Sequence, residues 1–220
     1  EPDFRLVSPS GLRNPRDLVE ADSEPLALSD IPEIVDSFAQ AAVRAVTLGK
    51  YTGGVQIYGC HGYLLGQFLS PLTNKRTDKY GGSLQNRARL LFEVTEAVRG
   101  ALKNDNVSVR LGASDQMPGE AENGFTLAES KWVAKELTAM GIDWLGISGN
   151  HCIYGIGTDD NDTAYFAPYA AEIRKELQGT GIPLDCAGGI RSGETAERLL
   201  KEGVCDVIGI GRPLLGGRGC

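Results

Sequence analysis

Two tyrosines and a histidine share the short run Tyr58-Gly59-Cys60-His61-Gly62-Tyr63. A phenol and an imidazole can both donate hydrogen bonds to one carbonyl oxygen, and a second phenol nearby can supply a proton. The bland reading is that His61 and Tyr63 only pack a loop, and spacing alone leaves the two readings even. Arg110 is a second candidate, at the end of the apolar run Val107-Ser108-Val109-Arg110-Leu111. An arginine so placed serves either a structural carboxylate or an anionic ligand. The third candidate is a pair of turns, Ala187-Gly188-Gly189 and Gly209-Ile210-Gly211-Arg212. Glycines let backbone N–H groups close on an anion, and a guanidinium adds a two-pronged contact. Taken alone, glycines of this kind more often make tight turns. His151 follows another strand but gains no role beyond packing. Cys60 has no neighbour in sequence that would depress its pKa, so it is not read as a nucleophile.

These residues need elements to hold them. The Pro-rich stretch 1–28 lacks periodicity and predicts a surface loop. A helix follows, capped near Ser29 or Asp30, with Pro32 in its first turn and Ile31, Ile34, Val35, Phe38, Ala42 and Ala45 on one face. Strands are predicted at Gly54–Tyr58, Val107–Leu111, Trp144–Ser148, Pro183–Ala187 and Asp206–Ile210. Between them fall a long loop (59–82), a helix capped by Ser83, a helix with a capping-box pattern at Thr126 and Glu129, a helix marked by Phe166, Ala170, Ile173 and Leu177, and a helix over about 192–202. Strict alternation of strand and helix implies a parallel sheet. A complete eight-stranded barrel takes about 250 residues, so five strands in 220 residues suggest an incomplete (β/α) barrel forming one domain over 1–220. An open, doubly wound sheet is the alternative, weakened because no Gly-rich turn opens the first helix. The glycine turns follow the last two strands, where barrel enzymes often bind phosphate.

Composition narrows the function. Net charge is −7, from 22 basic and 29 acidic side chains, which argues against nucleic acid, since phosphate contacts need clustered Lys and Arg. No apolar run approaches the roughly 20 residues that span a membrane, and no signal-peptide pattern opens the chain. Five cysteines (Cys60, Cys152, Cys186, Cys205, Cys220) without a CxxC pair read as reduced thiols in a cytoplasmic protein and offer no metal-ligand spacing. Both ends of the chain read as cut.

The segment from His61 to Arg89 carries the pattern HGYLLxQFLSPLTNKRTDxYGGSxxNRAR. It resembles the signature stretch of the old yellow enzyme family, and the likeness extends from Ser8-Pro9-Ser10 to Gly211-Arg212-Pro213. The resemblance implies a TIM-type (β/α)8 barrel, represented here by about five C-terminal units, with FMN as cofactor and NAD(P)H as reductant. Its implied activity is reduction of the activated C=C bond of a small α,β-unsaturated carbonyl compound. Tyr58 and His61 would then polarise the substrate oxygen, Tyr63 would donate the proton, and Arg110 would contact the flavin ring. Gly188, Gly189, Gly211 and Arg212 would hold the flavin phosphate. The chain departs from the family pattern at Tyr58, where His is usual, at Gln56, where Glu is usual, and at Gly66, often a polar position. Three upstream strands of the usual barrel are expected to be missing. That keeps open a flavin-free isomerase or epimerase, using the same tyrosine–histidine cluster, and a non-enzymatic binding module whose exposed strand edges would demand a partner or self-association.

Overall fold

The computed structural model describes residues 5–12, 23–49, 53–103, 105–152, 162–211 and 214. Its centre is a five-stranded parallel sheet: β3 (Val55–Gly59), β4 (Val107–Gly112), β5 (Trp144–Ser148), β6 (Leu184–Ala187) and β7 (Val207–Gly209). Each strand pairs with its neighbour in sequence, in the order β3-β4-β5-β6-β7. Because β–helix–β crossovers are right-handed, an order that never reverses keeps every connecting helix on one side of the sheet. A doubly wound sheet reverses its order at a switch point. The observed order excludes that alternative and makes the sheet a partial (β/α) barrel.

The connecting helices form for local reasons. After α1 (Ile31–Thr47), which has Pro32 in its first turn, α3 (Leu84–Ala101) begins where the Ser83 side chain accepts the Asn86 N–H. The start of α4 (Leu127–Ala139) is a complete capping box between Thr126 and Glu129, satisfying two otherwise orphaned donors. Beyond α5 (Ala167–Glu176), α6 (Gly193–Lys201) starts where Ser192 accepts the Thr195 N–H. Two features differ from the sequence expectation. The long loop contains a short helix, α2 (Leu64–Leu69), buried over five of its six residues. Within 1–28, β1 (Val7–Ser8) and β2 (Glu24–Pro25) form a two-residue parallel ladder. Arg76 pins this segment, its Nη1 donating to the carbonyls of Pro9 (2.7 Å) and Leu26 (2.6 Å).

Strand alternation sorts the sheet into two faces. Val107, Val109, Leu111, Leu145, Ile147, Leu184 and Cys186 are fully buried and face the helices. The opposite face carries Gln56, Tyr58, Ser108, Arg110, Gly146, Ser148 and Asp185, in register across the strands. The apolar core therefore lies between sheet and helices, while the inner face of the curved sheet is polar. Such a face suits a site rather than a packed interior.

Candidate active site

The candidate residues converge at the C-terminal ends of the strands. Tyr58 sits on β3 opposite Arg110 of β4, and His61 and Tyr63 follow in the next turn. The Tyr58 ring stands edge-on to His61 (centroids 5.3 Å apart) and to Tyr63 (5.5 Å). Tyr58 and Tyr63 are 38% and 53% exposed, so both phenols are open at the mouth. The Tyr58 hydroxyl is hydrogen-bonded to His61 Nδ1, and His61 Nε2 to the Ser148 hydroxyl at the end of β5. Burial, then the neighbouring Cys60 thiol, raises the Tyr58 phenol well above its ordinary range, against the pull of Arg110. Tyr58 therefore remains a proton-bearing donor throughout the neutral range. Cys60 is fully buried, and burial pushes its thiol up to about 12, in line with its exclusion as a nucleophile.

A buried polar hub shapes the loop that carries His61 and Tyr63. Asn150, after β5, accepts the Gly62 N–H at 3.1 Å and donates to the Gly66 carbonyl (3.1 Å) and to Asp115 (2.7 Å). Asp115, after β4, also accepts the Phe125 N–H and the Ser70 hydroxyl. The His61 N–H donates to the Gly149 carbonyl at 3.3 Å. Gly66 has a steric reason here, because a Cβ there would lie 2.5 Å from the Asn150 side-chain oxygen. His151 is buried beside the hub, within 3.4 Å of the Thr73 hydroxyl. Burial lowers its pKa although Asp115 pulls upward.

Arg110 stands level with Tyr58, on the neighbouring strand. Its Nη2 donates to Asp185 at 2.8 Å and its Nε to Gln56 at 3.1 Å. The register Arg110–Gly146–Asp185 explains the reach. Arg110 and Asp185 are two strands apart, and the intervening Gly146 leaves room, since a Cβ there would come within 2.5 Å of the Asp185 carboxylate. Burial raises the Asp185 pKa, with Arg110 and the hydrogen bonds of Gln56 and Arg110 opposing it. Of the two sequence readings for Arg110, the carboxylate pair is present.

The glycine turns lie at the far end of the sheet, side by side because Ala187 pairs with Gly209. Gly188 (φ 110°) and Gly189 (φ 69°) both have positive φ, the region that favours glycine. Gly211 is exposed and has open space around its α-carbon. Arg212 lies outside the described residues. The rings of Tyr165 and Phe166 press on the Gly188–Gly189 turn, 2.6 Å from where Cβ atoms would stand. The N-terminus of α6 is engaged by the chain itself: Asp162 accepts the Arg191 N–H (2.7 Å) and the Ser192 hydroxyl. Asp162 thus occupies the helix end, and the two adjacent glycine turns are the candidate place for an anion. Among the described residues no cluster of side chains could hold a metal ion, and no helix is long and apolar enough to cross a membrane.

Sequence reasoning missed Ser148, Asn150, Asp115 and Asp185. Parity offered one signal, because Gly146 and Ser148 share the inward phase of Arg110.

A sheet of this topology is part of a (β/α) barrel, with the tyrosine–histidine cluster at its carboxyl end. The chain belongs to the NADH:flavin oxidoreductase / NADH oxidase family, whose model matches residues 4–217. It is 33% identical over 221 aligned positions to an NADPH dehydrogenase of Geobacillus sp. (strain WCH70), covering 98% of this chain and 59% of that one. It is 36% identical over 196 positions to an NADH oxidase of Thermoanaerobacter brockii, covering 86% and 28%. Among solved structures, an old yellow enzyme homologue from Zymomonas mobilis superposes with TM-score 0.74 at 29% identity, covering 97% of this chain and 59% of that one. A 2-naphthoyl-CoA reductase in complex with 2-naphthoyl-CoA superposes with TM-score 0.79 at 28% identity, covering 95% and 31%. The chain thus spans 28% to 59% of the length of these relatives.

Proposed function

We propose that this chain is the working part of an FMN-dependent NAD(P)H oxidoreductase that reduces the activated C=C bond of a small α,β-unsaturated carbonyl compound. The observation that carries the proposal is the gathering of Tyr58, His61 and Tyr63 at the same end of the sheet as the two glycine turns. Gly188, Gly189, Gly211 and Arg212 would hold the FMN phosphate, and Arg110 would offer a positive charge to its ring. When bound, FMN supplies the hydride, drawn from NAD(P)H, that the β-carbon receives. Tyr58, backed by His61, holds the carbonyl oxygen, where negative charge grows as the double bond is reduced. Tyr63, the more exposed phenol, delivers the proton to the α-carbon from the opposite side.

The Arg110–Asp185 pair favours a second reading, a flavin-free isomerase, because it gives Arg110 a role that needs no ring. A visible absorption spectrum separates the two. Purified full-length protein should be yellow and should reduce 2-cyclohexenone with NAD(P)H. Tyr63→Phe should lower that rate by about 10²–10⁴-fold while keeping the flavin spectrum. An unchanged rate in Tyr63→Phe would remove the proton-donor assignment. A colourless protein that exchanges deuterium at the α-carbon of a ketone without NAD(P)H would establish the isomerase.

A further inference from the structure

We propose that Ser148 is a positioning residue that sets the tautomer of His61, so that Tyr58 is the group presenting a proton to the substrate oxygen and His61 acts through it. This deepens the reading above and rests on it for the identity of the substrate.

A neutral imidazole carries one N–H, and here each ring nitrogen faces a hydroxyl: Nδ1 the Tyr58 phenol, Nε2 the Ser148 hydroxyl. If the proton sits on Nε2, it is donated to Ser148. Nδ1 must then accept the one proton of Tyr58, and the phenol keeps none for a ligand. If the proton sits on Nδ1, it is donated to the Tyr58 oxygen, Ser148 donates to Nε2, and the Tyr58 O–H turns away from the ring, to the neighbouring Cys60 thiol or to a ligand oxygen at the mouth. A serine hydroxyl can serve both arrangements, because it donates or accepts as its rotor turns. A ligand oxygen gathering negative charge selects the second arrangement, since hydrogen bonds to a charged acceptor are the stronger ones.

The placement of His61 supports this. His61 adopts a left-handed backbone (φ 56°), which a non-glycine residue holds only where its surroundings impose it. Two successive residues at the end of β5 do so. The Gly149 carbonyl accepts the His61 N–H, and the Ser148 hydroxyl meets the ring. Ser148 is itself 3% exposed and anchored by its carbonyl, which accepts the Ala113 N–H at 2.8 Å. Tyr58 is the exposed end of the relay and Ser148 the buried end. The charged and titratable groups around the relay are Cys60, Arg110, Asp185 and Tyr63. They bear on the phenol and thiol rather than displacing Ser148 from the ring.

The test uses the full-length, flavin-loaded protein and has two arms. Nitrogen-15 NMR of the His61 imidazole, recorded with and without the saturated ketone cyclohexanone, reads the tautomer directly. Cyclohexanone should move the wild-type ring toward the Nδ1–H form, Ser148→Thr should behave alike, and Ser148→Ala should lose the response. In turnover with 2-cyclohexenone, Ser148→Ala should lower kcat roughly tenfold, with KM changed less than about twofold and Ser148→Thr restoring the rate. Adding Tyr58→Phe to Ser148→Ala should cost little more than either change alone, because both act on one hydrogen-bonded unit. A ring whose tautomer ignores both cyclohexanone and Ser148→Ala overturns the proposal, as do losses that multiply in the double variant. If wild-type protein fails to reduce 2-cyclohexenone, the substrate reading falls, and the NMR comparison of wild type with Ser148→Ala still decides the relay.

Discussion

The two ends of the sheet's carboxyl edge are built in opposite ways. At β3 the site consists of side chains, Tyr58, His61 and Tyr63, aligned by hydrogen bonds from residues after β4 and β5. At β6 and β7 the proposed site consists of backbone: the Gly188–Gly189 turn has no room for a Cβ, while Gly211 has open space around it. Chemistry that moves a proton needs a titratable atom at a fixed point, which requires side chains and a supporting hydrogen-bond frame. Holding a phosphate needs several donors converging at short range, which main-chain N–H groups provide without side-chain entropy. The first kind of site should fail when a supporting side chain is removed, the second when a methyl group is added.

The largest effect is expected between the two regions. Arg110→Ala should destabilise the fold by about 3–5 kcal/mol in urea denaturation, because it leaves the buried Asp185 carboxylate unpaired. Burial holds the Asp185 pKa above its unfolded value, so the penalty is absent in acid, where both states are protonated. It grows as pH rises through that window and is complete at neutral pH. A stability loss that does not vary between acidic and neutral pH would show that Asp185 is not the group left behind.

The side-chain region is probed by Asn150→Ala. This change strips the Gly62 N–H, the Gly66 carbonyl and Asp115 of a buried partner at once. A loss of about 2–3 kcal/mol is expected, with the 2-cyclohexenone rate falling further than flavin retention.

The backbone region is probed by a pair of substitutions. Gly189→Ala meets a left-handed φ and a Tyr165 ring atom at 2.6 Å, and should cost about 2 kcal/mol. Gly211→Ala meets nothing within 4 Å and should change stability by less than about 0.5 kcal/mol. Both should weaken FMN retention, measured by recovery of flavin fluorescence on dilution. Loss of flavin from Gly189→Ala alone would confine the anion to the β6 turn.

The smallest effect is expected at Cys60. With its thiol near 12 and no exposure, it should resist alkylation by iodoacetamide in native protein at pH 8 and react after unfolding, as read by mass spectrometry.

Much of this molecule was legible in the chain. The caps at Ser83, Thr126 and Ser192 mark helix starts because a short polar side chain beside an apolar run satisfies local donors. The five strands follow from short apolar runs between those helices. The signature loop was legible as a pattern but not as a structure. Arg87 within it donates to the Leu69 and Gly82 carbonyls and pairs with Glu129, a scaffolding role no spacing discloses. The short helix α2 escaped because Gly66 weakens its propensity and burial against the rest of the fold holds it instead.

Residue type and local spacing, acting over a few positions, determined the alternation of elements, the cluster at Tyr58–Tyr63 and the two glycine turns. The order of the strands, and therefore a barrel rather than a doubly wound sheet, depended on long-range pairing. So did the partners of the site: Ser148 lies 87 residues from His61, Asn150 88 from Gly62 and Asp185 75 from Arg110. Only parallel register brings them to the same end of the sheet, because each crossover helix returns the chain to start the next strand beside the last.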